Sequence, residues 1–168
     1  MDSSGVLIDG FDRIAQTVHG VLDDLSPGAI VFRVDEQANS IGWLIWHLTR
    51  VQDDHLADAM PAEQVWLSAG WAGQFGLPFD RSATGYGQSS KDVAAVRAYA
   101  ELLAGYHDAV HDQTVEYLRT VRDGDLDRVV DTRWNPPVTL GVRLISVISD
   151  SLQHVGQAAY VRGLAERR

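Results

Sequence analysis

The chain has 168 residues, 45% of them hydrophobic and 22% charged, with no cysteine and a formal net charge of −9. That composition supports one globular domain over residues 1–168 whose core needs no disulfide, and it excludes a thiolate nucleophile or a Cys-ligated metal supplied by the protein itself. The acidic balance, with no basic stripe, excludes general nucleic-acid binding, whose affinity rests on phosphate contacts. No apolar run approaches the roughly 20 residues of a membrane helix. The opening stretch MDSSGVLIDG has no basic segment followed by an apolar one, so the expected compartment is the cytoplasm.

Four long helical segments are expected. The first runs from about Ser4 to Leu25, because Leu7, Phe11, Ile14, Ala15, Val18, Val21 and Leu22 recur at the spacing of one helix face. Pro27-Gly28 breaks that pattern, and Ala29 to Val34 is strand-like but too isolated for a sheet. A second helix starts after Asn39-Ser40, either of which can cap it, and runs to about Met60 before Pro61. Residues 67–91 are irregular and Gly-rich. Trp71, Phe75, Phe79 and Tyr86 within them argue for packing onto the domain, as a cover or as a substrate-facing lid. The third helix spans about Asp92 to Val121, with Ser90 as a plausible cap. Asp131 to Pro137 is a connector, since Pro136-Pro137 cannot lie inside a helix. Thr139 caps a fourth helix from about Leu140 to Leu164. Four amphipathic stripes are buried most simply in an all-α four-helix bundle, with a long crossover between helices two and three.

Chemistry concentrates on the histidines. Asp150 and His154 stand four apart on the fourth helix, beside its apolar stripe, and His47 has the same kind of position on the second. Two facing helices can thus deliver His, Asp and His to one divalent cation, with a fourth position open as in catalytic zinc sites. His107 and His111, also four apart, are a competing pair that spacing alone does not eliminate. Arg143, two turns before Asp150 on the same side, is placed to hold an anionic group. Gln157 continues that side, and Arg50 has a similar option or an ion pair with Asp54. Trp43 and Trp46 either wall the pocket or pack. His19 and His55 read as structural or solvated.

The segments NSIGWLIWHLTR (39–50) and DSLQHVGQAAYVRG (150–163) resemble the two signature regions of the DinB-like superfamily of metal-dependent helical bundles. The loop from Gly70-Trp71 to Phe79 is similar to that of its actinobacterial subgroup, which includes mycothiol-dependent transferases. The resemblance covers roughly residues 5 to 165. It implies metal ligation by His47, Asp150 and His154, and no metal role for His107 or His111. Many members carry His where this chain has Asp150. A carboxylate there resembles the maleylpyruvate isomerase branch, which uses Glu.

The resemblance implies a divalent metal, with Zn2+ first on donor type, and mycothiol as thiol co-substrate. The expected activity is S-transfer: a thiol that loses its proton at the metal attacks an electrophilic small molecule. Arg143 and Gln157 are the candidate thiol or substrate contacts. A mycothiol-dependent isomerase and a non-catalytic metal-binding stress protein are the alternatives. The expected partners are the small thiol and its electrophile, without nucleic acid or membrane. The family's habit makes a homodimer a further expectation.

Overall fold

The computed structural model describes residues 2–167. Its elements in chain order are α1 (Ser3–Leu22), α2 (Pro27–Ile30), α3 (Ile41–Ala59), α4 (Val65–Ser68), α5 (Trp71–Phe75), α6 (Ser90–Ala95) and α7 (Ala100–Leu118). A 3-10 turn (Asp123–Asp127), β1 (Val129–Asp131), β2 (Val138–Thr139) and α8 (Leu140–Ala165) complete it. The all-α expectation holds: α1, α3, α7 and α8 form a four-helix bundle around one core.

Local chemistry sets the helix starts. Asp2, Ser40 and Thr139 each accept a hydrogen bond from a first-turn amide of α1, α3 and α8, satisfying a donor that has no partner within the helix. The predicted stripes then turn inward. Phe11, Ile14 and Val18 of α1, Ile41, Ile45 and Leu48 of α3, and Leu140, Leu144 and Ala158 of α8 are fully buried. Each large aliphatic side chain so buried contributes about 1.5–3 kcal/mol relative to exposure.

Side-chain pairings give the helix directions. Ser4 bonds the Leu118 carbonyl, Asp12 meets His111 and His19 meets Asp108, so α1 and α7 are antiparallel. Gly10 lies against Ile148, while Arg162 donates to the carbonyls of Gly20 and Val21, so α1 and α8 are parallel. His47 faces His154 and His55 meets Arg143, so α3 and α8 are antiparallel. Helices α3 and α7 therefore run parallel, and the chain between them must return along the bundle. Residues 60–99 are that crossover.

The crossover is more structured than a bare loop, carrying α4, α5 and α6. The single third helix expected over 92–121 is broken. Ser89, not Ser90, caps α6 through a reciprocal box with Asp92; Val96 is extended (ψ 95°), and α7 begins at Ala100. No Gly or Pro marks this break. Val93 and Val96 are both buried, so tertiary packing overrides a helix-compatible sequence. The strand-like stretch at Ala29 instead contributes to α2, capped by Ser26 with Pro27 in its first turn. A small antiparallel hairpin, β1 with β2, pairs Val129 with Thr139 and Asp131 with Val138, so the expected connector from Asp131 to Pro137 is the turn of a hairpin. Helix α1 also stops at Leu22, earlier than its apolar pattern suggests.

Candidate metal centre and adjoining cleft

Helix α3 carries His47 toward α8, where Asp150 and His154 stand one turn apart. One donor atom from each lies within 4.8 Å of the others, and among the described residues no other such trio of His, Asp or Glu occurs. The His47 and His154 rings are 4.8 Å apart at 75°. His154 Nε2 stands 3.6 Å from Asp150 Oδ1.

Hydrogen bonds decide which nitrogens are available. His47 Nδ1 lies 2.5 Å from the Thr84 carbonyl, which can only accept, so this nitrogen carries the proton and Nε2 keeps its lone pair. His154 Nδ1 donates in the same way to Gln157 Oε1 at 3.0 Å. Asp150 Oδ2 is shielded from solvent and has no hydrogen-bond partner. Two imidazoles and one carboxylate with donor atoms this close together could hold a divalent cation, and His ligands commonly commit the other ring nitrogen this way.

The surroundings tune these groups. Burial lowers the pKa of His47, against the Thr84 carbonyl, and the neighbouring His154 adds to the lowering. The facing Asp150 carboxylate raises that of His154, against burial, with help from Gln157. Burial opposes ionisation of Asp150, but His154 and the other nearby imidazoles prevail, and its carboxyl lies below the usual value. The Trp43 ring stacks on His47 at 4.6 Å and 15°, and its indole N–H is held by Gln88 at 2.7 Å. His47 is thereby fixed by a carbonyl on one side and a ring on the other.

Gly85 is needed by this arrangement. Its φ is +107°, and an added Cβ would lie 2.4 Å from His47 Nδ1 and 3.0 Å from the Trp43 ring. The next residue, Tyr86, stands edge-on to His47 at 5.5 Å although it is 68% exposed. The Gly-rich crossover thus lies over His47 of α3.

A cleft of about 730 Å3 opens beside Asp150, between α3, α8 and the hairpin. Arg143 lies in its wall but is not free. It donates to Asp131 at 2.8 Å and to His55 Nδ1 at 3.0 Å, and Arg133 completes the grip on Asp131. The bonds from Arg133, with Arg143 nearby, hold the Asp131 carboxyl well below the usual carboxylate range. His55, expected to be structural or solvated, is therefore a cleft residue; burial lowers its pKa and the Arg143 charge lowers it further.

The remaining candidates fall elsewhere. Arg50 is fully buried and pairs with Asp53, not with Asp54 as its helix spacing suggested. Asp53 faces the bundle interior, where Tyr106 donates to it at 2.7 Å and the Val65 and Trp66 amides at 2.9 and 2.8 Å. Burial raises the Asp53 pKa against those bonds. Trp46 packs against Trp66 and Phe79 and takes no part in the site, and Arg162 ties α8 to α1. His107 is buried with no hydrogen-bond partner, and its ring stacks at 6.2 Å on that of His111, which pairs with Asp12. This pair joins α7 to α1 and does not meet the triad.

Fold and site together give a helical bundle in which a donor set able to hold a cation borders an open cleft. A family profile described as Mycothiol-S-transferase matches residues 6–166, so the chain belongs to the mycothiol-S-transferase family, a family named for transferases of that thiol. The chain is also similar to a crystal structure described as the conserved protein of locus from Enterococcus faecalis. The TM-score is 0.92 at 28% identity, covering 100% of this chain and 99% of the other. Comparison with curated proteins returns no match. Among the described residues no helix is long and apolar enough to cross a membrane.

Proposed function

We propose that this protein is a metal-dependent S-transferase that joins mycothiol to an electrophilic small molecule. The observation that carries this is the convergence of His47, Asp150 and His154, with both imidazole Nδ1–H groups committed elsewhere, on the edge of a substrate-sized cleft. His47, Asp150 and His154 would hold the cation, and zinc suits two imidazoles and one carboxylate with an open position. A divalent cation there favours the thiolate form of an incoming thiol, the form that attacks carbon.

The chain's own residues do the rest. Thr84 and Gln157 keep the two imidazoles in the tautomer that offers Nε2. Asp150 brings one negative charge, so the site stays net positive with a divalent ion and attracts a thiolate. Arg143, Val142 and Val147 wall the cleft in which the electrophile is held beside the sulfur. With no cysteine in the chain, no protein thiol competes for the metal or the electrophile. A carboxylate at position 150, with Arg143 and Arg133 in the cleft, supports a second reading as a thiol-dependent isomerase of an unsaturated diacid.

The test is elemental analysis paired with a mycothiol conjugation assay on the same sample. The wild type should hold about one divalent metal per chain, since one such donor set occurs among the described residues. His47→Ala and His154→Ala should each lose the metal and the thiol-dependent turnover. Full metal content in both variants would overturn the assignment.

A further inference from the structure

The space beside the triad consists of two chambers with different chemistry. The one described above is walled by Val138, Val142 and Val147 with Trp134, and Asp150 borders it. The second, about 700 Å3, is bounded by Asp54, Asp58, Gln64, Thr84 and Thr132. Both chambers are lined by Val51, His55, Tyr86, Asp131 and Arg133, which form the partition between them. Each touches the site by a different route. Asp150 belongs to the apolar chamber, and Thr84, whose carbonyl holds His47, belongs to the polar one.

A transfer between two substrates needs two holding places whose reacting atoms meet at one point. Apolar walls favour a ligand with little to hydrogen-bond, because burying an unpaired polar group costs free energy. The second chamber presents acceptors. Asp54 takes a hydrogen bond from Gln64 Nε2 at 2.8 Å, Gln64 Oε1 is shielded from solvent and unpartnered, and Asp58 is exposed with its carboxylate available. Carboxylate and amide oxygens suit neutral hydroxyl donors, and hydrogen bonds to ionised acceptors are the stronger kind. Three carboxylates against one arginine disfavour an anion there.

We infer that the chamber of Asp54, Asp58, Gln64 and Thr132 holds the hydroxyl-rich glycosidic carrier of the thiol, while the chamber of Val138, Val142, Val147 and Trp134 holds the electrophile. Tyr86 stands between them over His47, where sulfur and carbon would meet. This division rests on the S-transferase reading and adds to it which side takes which substrate.

Two-substrate kinetics with mycothiol and monobromobimane, an uncharged planar electrophile, test the division. Titration with S-methyl mycothiol runs alongside. That ligand keeps the carrier but cannot react. Asp58→Leu should raise the KM for mycothiol about tenfold, the effect of losing one hydrogen bond to a charged group, and Thr132→Val about fivefold, that of losing a neutral one. The bimane KM should change less than about twofold. Val142→Asn and Trp134→Ala should do the reverse. All four positions are exposed, so retained helicity and melting temperature verify folding. The division is overturned if the mycothiol KM moves only in Val142→Asn and Trp134→Ala, or if every variant moves both constants equally. If the wild type shows no thiol turnover, the transferase reading fails and the titration still decides the chamber. Weaker S-methyl mycothiol binding in Asp58→Leu than in Val142→Asn supports it; equal loss in both, or no binding by the wild type, overturns it.

Discussion

At the residue scale, Gly85 makes the positioning of His47 a backbone problem. A side chain at φ +107° is strained, and its Cβ would overlap the imidazole that the neighbouring carbonyl holds. Gly85→Ala should therefore weaken metal binding at least tenfold, measured by competition with a chromogenic chelator, while circular dichroism stays that of the wild type. His107 gives the second residue-scale prediction. Burial, with the nearby His111 and His19 charges, lowers its pKa to about 3. An unfolded histidine binds a proton below about 6.5 while the folded one resists until about 3. Its contribution is thus complete above pH 6.5 and lost progressively as pH falls through that window, on the order of 3 kcal/mol by pH 4. His107→Leu should flatten the fall of melting temperature between pH 7 and pH 4, and an unchanged slope would contradict this. Of the site, Asp150 and His154 were legible as a pair from helical spacing, which left His107 and His111 in competition; the family resemblance made the choice and joined His47 to them. Thr84, Gly85, Tyr86 and His55 were not legible, because their roles depend on where the crossover lands.

At the scale of single elements, caps and buried networks decide what holds. Thr139 caps the helix that carries two of the three donors and is itself the last residue of β2, so the hairpin runs straight into α8. Thr139→Ala should cost about 1 kcal/mol in chemical denaturation. The Arg50–Asp53–Tyr106 network fastens α3 to α7, and Tyr106→Phe would leave Asp53 short of a donor inside the bundle. That substitution should cost roughly 1–3 kcal/mol and leave metal content unchanged. Helices α3 and α8 were readable because apolar period and cap agree there, and α1 was readable from its apolar period alone. The α6–α7 break was not readable, since residues 96–99 contain nothing that forbids helix. The hairpin was missed because its strands are short and lie beside two prolines that suggest a plain loop.

At the scale of the whole molecule, α3 and α8 are adjacent and antiparallel, and this brings His47 together with Asp150 and His154, about a hundred positions away in sequence. A cation that binds the folded chain and not the unfolded one stabilises it, by about 4 kcal/mol when free metal is a thousandfold above Kd. Chelation should accordingly lower the melting temperature reversibly while leaving far-UV dichroism at 25 °C intact, because the bundle has its own apolar core. Apo protein that is already unfolded at 25 °C would show that the core is insufficient. What the sequence determined by itself is the set of helices, the face each one buries, and the residue types able to hold a cation. These follow from spacing, capping and donor chemistry, all local properties. Only the tertiary structure decided that His47 meets Asp150 and His154 and that His107 and His111 stay with α1. It also decided that Arg143 is gripped by a hairpin aspartate, and that a glycine from the crossover sits over the histidine. Those outcomes depend on helix order, helix direction and loop placement, which no local pattern encodes.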